Sequence, residues 1–364
     1  MQRRQFILAA STLAVATPTL VACSSGASTG EVARDLRRPD APNTGDRAML
    51  MRELVRHATL APSSHNTQCW TFRMQGQLIT IKPDLSRRCP VVDPDDHHMF
   101  VSLGCATENL AHAALANGLQ ASANFDAAGS GSVAVTLEAT RAVASPLFQA
   151  IVERQCTRGD YDGKPLSTEE LRLLEQAGSG NGVRLLLLTE RSAMETVLEY
   201  VVSGNTAQMN DPAFIEELKV WIRFSSDEAI RTGDGLFTGA SGNPVMPRWF
   251  GSRMMGLFFT PKSENERYAR QIRNSAGIAV FVSEVSDKAH WLETGRCYER
   301  FALQATVLGI RNALLNQPVE VGSVRPQFAA AMGLGELRPD LVVRFGRGPT
   351  LPFSMRRPVQ SVLV

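Results

Sequence analysis

Two long segments of this 364-residue chain, both typical of helices, share five identical residues at one constant spacing. Strand-like segments flank both helices in the same order, which indicates an internal duplication; chance remains the alternative, because alanine and glycine are common. A duplicated unit of this size would form a pseudo-symmetric dimer within one chain. The sequence therefore predicts an α+β fold of two fused repeats, each a β-sheet packed with helices. The matched pairs, each separated by 191 residues, are Gly104/Gly295, Glu108/Glu299, Ala111/Ala302, Ala114/Ala305 and Gly118/Gly309.

Local signals place the elements of both halves. Ser167 with Glu170 forms a capping box, and Asp211-Pro212 starts a helix with proline in its first turn. Apolar periodicity predicts the remaining helices and strands. The predicted helices are 46–60, 98–117, 146–153, 287–309 and 325–332, and the predicted strands are 70–74, 79–81, 121–125, 133–137, 183–188, 277–283 and 340–345.

Composition excludes several classes of protein. The chain is 44% hydrophobic and 20% charged, which is ordinary for a globular protein. Removing residues 1–22 takes away two arginines and no acidic residue, which leaves 36 basic and 36 acidic residues. A neutral surface without a basic block gives little attraction for phosphate backbones, so no nucleic-acid binding is expected.

The N-terminus reads as a targeting segment. Arg3 and Arg4 precede an apolar run over residues 6–21, which is short for a bilayer-spanning helix. A buried core helix is the alternative. The paired arginines resemble a twin-arginine export signal, and Leu-Val-Ala-Cys23 resembles a bacterial lipobox. The resemblance implies that Cys23 is lipidated and that the protein is periplasmic, with Ser24 favouring the outer membrane.

Three polar segments carry the candidate chemistry. Residues 61–68 place a run of hydrogen-bonding side chains between a helix and a strand, where a ligand-free helix C-terminal turn is the alternative. In residues 154–158, Arg154 and Arg158 lie four positions apart and could converge on a phosphate. Residues 354–357 contain a further pair of arginines. For the last two segments the alternatives are a solvated basic loop and an ordinary basic tail.

Together, these segments resemble the FMN-dependent nitroreductase superfamily, and their order and sizes resemble its Acg-type branch, in which two units are fused. The resemblance implies FMN as cofactor, with the flavin as redox centre and no catalytic side chain. It also implies that Arg154, Arg158, Arg356 and Arg357 bind the FMN phosphate with Cys156 nearby, that Ser63, Ser64, Asn66 and Gln68 meet the isoalloxazine and ribityl groups, and that Asn316 and Gln317 belong to the segment facing flavin N5.

The motifs are divided between the halves. In the two-chain family each FMN lies at the dimer interface, with the phosphate motif from one subunit and the serine loop from the other. Here the serine loop survives in the first half and the arginine motif in the second, while their counterparts at 177–181 and 36–39 have decayed. The resemblance thus implies one FMN site in a monomer that acts as a pseudo-dimer. Its parts are a signal peptide at 1–22, a tether and arm at 23–45, and repeats at 46–145 and 146–364.

The implied function is an FMN-dependent oxidoreductase that passes two electrons from a small-molecule donor to a small-molecule acceptor. A flavin-storage protein with little turnover is the alternative, and a cofactor-free structural lipoprotein is a third hypothesis. An aromatic and methionine-rich insertion at about 211–275 fits either a lid over the flavin or extra core packing. His97 and His98 are adjacent and are expected to point apart, so no metal site is expected.

Overall fold

The computed structural model describes residues 28–38 and 46–364. The predicted export signal and Cys23 therefore lie outside the described residues. Where the sequence predicts only a surface arm, Ser28 caps a short helix, α1 (Thr29–Asp35), through a capping box with Glu31. Within the described ranges, no helix is both long and apolar enough to span a bilayer.

The first repeat is a four-stranded antiparallel sheet packed against two helices. Its strand order is β1-β2-β4-β3. Asp46 caps the first of the helices through its carboxylate, at the position where the sequence predicts that the helix starts. The elements are α2 (Arg47–Thr59), β1 (Trp70–Gln75), β2 (Leu78–Pro83), α3 (His97–Ala116), β3 (Leu119–Phe125) and β4 (Val133–Ala139).

The second repeat contains a second antiparallel sheet and the long insertion. The elements before the insertion are α4 (Pro146–Ala150), α5 (Thr168–Gly178), β5 (Val183–Leu188) and α6 (Arg191–Met209). Those of the insertion are α7 (Pro212–Trp221), β6 (Ile222–Arg223), α8 (Ser226–Thr232), β7 (Leu236–Phe237), α9 (Arg248–Phe258) and α10 (Pro261–Arg273). The remainder are β8 (Gly277–Ser283), α11 (Lys288–Val307), β9 (Arg311–Leu314), α12 (Gln317–Glu320), α13 (Arg325–Ala331) and β10 (Pro339–Gly346).

The two sheets have the same topology, which confirms the predicted α+β fold of two repeats. The order β5-β8-β10-β9 matches β1-β2-β4-β3 strand for strand, and every pairing in both sheets is antiparallel. In each repeat the long helix follows the second strand and precedes the third. One chain therefore folds as a pseudo-symmetric dimer.

The two repeats meet where α3 crosses α11. At Gly104 an added Cβ would lie 1.9 Å from the carbonyl oxygen of Leu292, and at Gly295 it would lie 1.9 Å from that of Val101. The two backbones therefore touch at a reciprocal pair of glycines, a contact that any side chain would prevent. Glu108 reinforces the crossing through ion pairs across the interface, to Arg296 at 2.9 Å and Arg300 at 3.2 Å.

The C-terminal segment of the chain returns to the first repeat. Leu363 pairs in parallel with Phe72 of β1, and Phe72 donates its amide to the carbonyl of Val362 at 2.8 Å. The edge of the first sheet is thus covered by the end of the second repeat. Residues 354–357, which contain the arginine pair, are carried past the end of α2 on the way.

Replacing Gly295 with alanine should destabilise the protein by about 3 kcal/mol or more, because a methyl group cannot enter the backbone contact without moving both helices. Urea unfolding of Gly295→Ala measures this loss. Gly256→Ala is the matched control, since Gly256 is also helical and its added Cβ meets nothing within 4 Å. Equal stability of the two variants would contradict the crossing.

Candidate functional site

A cavity of about 640 Å³ lies between the two repeats. This is within the range of about 300–1,000 Å³ that is usual for sites that bury a cofactor or a drug-sized ligand. The first repeat contributes residues 62–65 and the first half of α3, including Ser102 and Cys105. The second repeat contributes residues 313–317, Tyr298 and Arg344, and the insertion covers the remaining side.

The serine loop is held in an unusual backbone conformation at the cavity wall. His65, Asn66 and Gln68 all have positive φ, at 47°, 54° and 52°. Non-glycine residues rarely adopt this conformation, and such strain is concentrated at functional sites. Ser63 fixes the loop internally, because its Oγ accepts the amide hydrogen of Gln68 at 2.8 Å.

The structure brings five of the eleven predicted cofactor residues to the cavity wall. Ser63 and Ser64 come from the first repeat, whereas the other three come from the second. The remaining six do not line the cavity and lie in a layer behind it. The five are Ser63, Ser64, Arg158, Asn316 and Gln317.

Asn66 and Gln68 hold other chain segments in place behind the wall. Asn66 Nδ2 donates to the carbonyl oxygens of Gly235 at 3.0 Å and Met355 at 3.2 Å. Gln68 donates to the carbonyl of Gly233 at 2.8 Å, and its Oε1 accepts the amide of Arg357 at 2.8 Å. Both amide groups therefore join the serine loop to the insertion and the C-terminal segment.

Arg154 and Arg356 bind the end of α2. Arg154 is 2% exposed; its Nη2 donates to the carbonyl of Leu60 at 2.7 Å, and its Nε lies 3.1 Å from Oε1 of Glu299. Arg356 donates to the carbonyls of Thr59, Leu60 and Ala61 and also to Oδ1 of Asn66. Cations at a helix C-terminus satisfy its free carbonyls and its dipole. The expectation that these two arginines bind phosphate directly is not supported by this placement.

Arg357 and Cys156 also lie outside the cavity wall. Arg357 donates to the carbonyls of Gln68 at 3.3 Å and Ser361 at 2.7 Å. The backbone of Cys156 pairs with that of Asn312 in an isolated parallel β-bridge beside the second sheet. Its Sγ lies 3.5 Å from the hydroxyl of Tyr298, which does line the cavity. Cys156 therefore contacts the site through Tyr298. It is unpaired, as are Cys69, Cys89, Cys105 and Cys297.

Arg344 is a cavity residue that the sequence analysis missed. It lies on β10, a fully buried strand, and donates to the carbonyl of Gly159 at 2.8 Å. Its Nε and Nη1 are buried and have no hydrogen-bond partner. Burial lowers the pKa of Arg344, and the nearby charge of Arg158 lowers it further. An arginine that follows the apolar run 341–343 of a predicted buried strand was the signal that could have found it.

Arg158 is the second cation facing the cavity. Within the described part of the chain its guanidinium has neither a hydrogen bond nor an ion pair; only its backbone carbonyl is bonded, by Gln271. Arg158 also lowers the pKa of His65, second to burial, to about 4. Three arginines therefore line the cavity: Arg267 is paired with Glu264, whereas Arg158 and Arg344 have unused donors and no carboxylate partner among the described residues. Such groups favour an anion.

Amide side chains form another polar part of the wall. Gln317 donates to the hydroxyl of Tyr268 at 2.7 Å, while its own Oε1 is buried without a partner. Asn316 accepts the amide of Val342 at 3.1 Å and lies 3.4 Å from Nε2 of His98. Unused donors and acceptors at this wall can bind the polar edge of a flat ligand.

His97 and His98 do not point apart. Their ring centroids are 4.7 Å apart, and candidate ligand atoms of Asp93 and both histidines all lie within 4.8 Å of one another. The stated reason for expecting no metal is therefore wrong. However, Asp93 already accepts two amides at the start of α3, and His97 Nε2 contacts Asp340 at 2.8 Å. A cation here would also face the positive end of the helix.

The insertion forms the outer wall of the cavity and also part of the core. Met246, Met254, Met255 and Phe259 line the cavity. In contrast, α10 packs into the second repeat, where its Ile272 is fully buried among residues of α6 and β8. One part of the insertion therefore lines the cavity and another part belongs to the core, while a lid over the flavin stays a prediction.

The chain is similar to known nitroreductases. No family model matches it. Over 342 residues it is 24% identical to a protein named "Putative NAD(P)H nitroreductase" in two strains of Mycobacterium tuberculosis, H37Rv and CDC 1551, with 90% of this chain and 95% of the relative covered. These relatives support the resemblance to the nitroreductase superfamily. The Acg-type branch stays a prediction.

Solved nitroreductase structures overlap with part of the chain. One from Desulfitobacterium hafniense with bound FMN is 16% identical and has a TM-score of 0.38; the overlap covers 61% of this chain and 98% of that one. The FMN-dependent nitroreductase NfnB from Mycobacterium smegmatis, in complex with NADPH, is 11% identical with a TM-score of 0.35, covering 56% of this chain and 87% of that one. Structural overlaps with TM-scores this low do not show which residues of the chain correspond to the flavin sites of those proteins.

Replacing Arg154 with methionine should cost about 3–5 kcal/mol of stability, because Glu299 is then left as an uncompensated buried carboxylate. Burial already raises the pKa of Glu299. Urea unfolding of Arg154→Met should show this loss, and a second change, Glu299→Gln, should restore part of it. Arg158→Met is the control: compared with the parent in FMN-free protein, it should unfold nearly as the parent does, since its guanidinium has no partner to lose among the described residues. If Arg154→Met matches Arg158→Met in stability, Arg154 does not have the structural role described.

Proposed function

We propose that the protein is an FMN-dependent, nitroreductase-like oxidoreductase that holds one FMN in the cavity between its repeats. The observation that carries this proposal is the composition of the wall. Ser63 and Ser64 from the first repeat face the same cavity as Arg158 and Asn316 from the second. The nitroreductase names of the relatives support the same class of reaction.

Arg158 and Arg344 are the residues we assign to the FMN phosphate. Both line the cavity, and their guanidinium groups retain donors that no described residue uses. A phosphate between them would offset the charge repulsion that lowers the pKa of Arg344 after burial. Arg154 and Arg356, which the sequence motif favoured, act as positioning residues that hold the end of α2 and the serine loop.

The remaining wall residues orient the ring system. Bound FMN supplies transfer of two electrons from a reduced donor to an oxidised acceptor. Gln317 has a buried Oε1 free for a ring N–H, and Ser64 contributes a hydroxyl from the opposite repeat. Burial lowers the pKa of His65 to about 4, so its ring is neutral near pH 7 and can exchange hydrogen bonds without adding charge.

Flavin storage is the second candidate, and the insertion favours it. Methionine and phenylalanine side chains from residues 246–259 cover the outer side of the cavity and would limit access to a bound flavin.

We also propose that residues 1–23 direct export and lipid anchoring, which places the protein in the periplasm at the outer membrane. NADPH is not expected to be plentiful there, so we expect a different small molecule to serve as the electron donor.

The visible spectrum of the purified protein, followed by anaerobic mixing with NADPH, NADH and a quinol, tests the proposal. A yellow protein whose flavin is bleached by one of these donors is the expected result. Bound flavin that none of them reduces would favour storage. A colourless protein that cannot be reconstituted with FMN would contradict both candidates.

Arg158→Met should weaken FMN binding roughly 10–100-fold, because a charge-assisted contact worth about 1.5–3 kcal/mol is lost. Riboflavin lacks the phosphate, so its affinity should stay within about twofold of the parent value on the same argument. Fluorescence titration with both ligands measures the ratio. The control is Arg172→Met, an exposed arginine paired with Glu169. Equal loss of riboflavin affinity would show that Arg158 does not bind the phosphate.

A further inference from the structure

The outward face of α9 exposes large apolar side chains. Trp249 is 71% exposed and Phe250 41%, and Val245 just before the helix is 48% exposed. Val220 at the end of α7 is 62% exposed and lies nearby, since Arg248 donates to the carbonyls of Lys219 and Ile222. Contiguous exposed apolar surface of this kind marks a contact site. We call these four side chains, Val220, Val245, Trp249 and Phe250, the outer patch.

The cavity does not account for the outer patch. Met254 and Met255 of the same helix face the cavity, whereas none of the four patch residues lines it. The helix α9 is therefore apolar on two sides, and only one side has a partner within the described protein. The ring of Trp249 contacts the ring of Phe250, with centroids 5.6 Å apart, and is otherwise largely exposed in the described structure.

Basic residues predominate in the segment that carries most of the outer patch, although Glu228 pairs with Arg248 and Glu216 lies one turn before Val220. The sequence has no aspartate or glutamate between Asp234 and Glu264, but it has Arg248, Arg253 and Lys262. An apolar face with an exposed tryptophan and basic neighbours is the pattern of a helix that lies in the interface of an anionic bilayer.

The N-terminal end of the described chain lies on the same side of the molecule. Ala33 of α1 packs with Ala229 of α8, and Glu228 of α8 forms an ion pair with Arg248 of α9 at 2.7 Å. The helices α1, α8 and α9 are thus successive neighbours. From Ser28 back to Cys23 there are five residue spacings, which reach at most about 17 Å. A lipid anchor on Cys23 would hold the outer patch close to the membrane surface.

We propose that the outer patch docks on the surface of an anionic lipid bilayer. This docking rests on the lipid anchor proposed above for Cys23, and it does not depend on whether the bound flavin turns over. Trp249 and Phe250 enter the boundary between headgroups and acyl chains, and Arg253 contacts lipid phosphates. Docking turns the cavity wall formed by α9 towards the bilayer, where acceptors that dissolve in lipid are concentrated.

Tryptophan quenching tests the docking directly. The full chain, anchored through Cys23 in phosphatidylglycerol-containing vesicles, is compared in brominated and unbrominated lipids. Trp249 is the exposed tryptophan, since Trp70, Trp221 and Trp291 are each 9% exposed or less. Brominated lipids should lower the emission about twofold, because a docked face enters about 5–10 Å into the interface. Trp249→Phe should abolish the difference.

A paired substitution separates docking from anchoring. Phe250→Asp should abolish the quenching while the anchor keeps the protein on the vesicle. The control is Val143→Asp, an exposed valine that bonds to Leu115 near the C-terminal end of α3, away from the cavity; it should be quenched like the parent chain. Flavin absorbance of each sample is recorded, so loss of cofactor is distinguished from loss of docking.

Two results would overturn the proposal. The first is equal Trp249 emission in brominated and unbrominated lipids, which would show that the anchored protein does not place its patch in the bilayer. The second is a blue-shifted Trp249 emission that appears without vesicles and grows with protein concentration. That result would assign the outer patch to a second copy of the chain.

Discussion

The contact between Gly104 and Gly295 determines the relative placement of everything else at the centre of the molecule. Because neither position has a side chain, α3 and α11 cross with their backbones touching, and the two sheets pack on opposite sides of the crossing. Glu108 then joins the helices through Arg296 and Arg300. Interfaces packed this closely tolerate little displacement. The serine loop of one repeat and strand β9 of the other are therefore held at fixed positions around one cavity.

The arginine motif shows how a sequence resemblance and a local role can differ. Arg154 neutralises the buried Glu299 and binds the carbonyl of Leu60, to which Arg356 also donates. These contacts connect the second repeat, the end of α2 and the C-terminal segment directly behind the serine loop. Arg158, four residues further along, faces the cavity. The motif thus both positions the loop and presents a cation, with a different arginine for each task.

Sequence reasoning succeeded where a local pattern determines the structure. The structure contains the elements predicted from the capping box at Ser167, from Asp211-Pro212 and from the alternation in β1. It missed α6 and the four-residue strand β9, whose patterns are weak or short. It could not separate Arg154 from Arg158, because spacing does not say which guanidinium meets a buried carboxylate. Sequence also could not predict the role of Arg344, because its partners come from distant parts of the chain.

Pseudo-symmetry also explains why the structure has a cavity on one side of the crossing. Ser102 and Cys105 of α3 line the cavity with small side chains, but the residues 191 positions later, Glu293 and Arg296, are long and pair with each other at 3.2 Å. Beside them, Arg300 donates to the carbonyls of residues 177 and 179 in the decayed counterpart of the serine loop. Charged side chains and a collapsed loop fill the space that a second site would need. Both repeats thus contribute equally to the crossing, whereas the residues beside it differ in size, and the smaller ones, Ser102 and Cys105, leave room for the cavity.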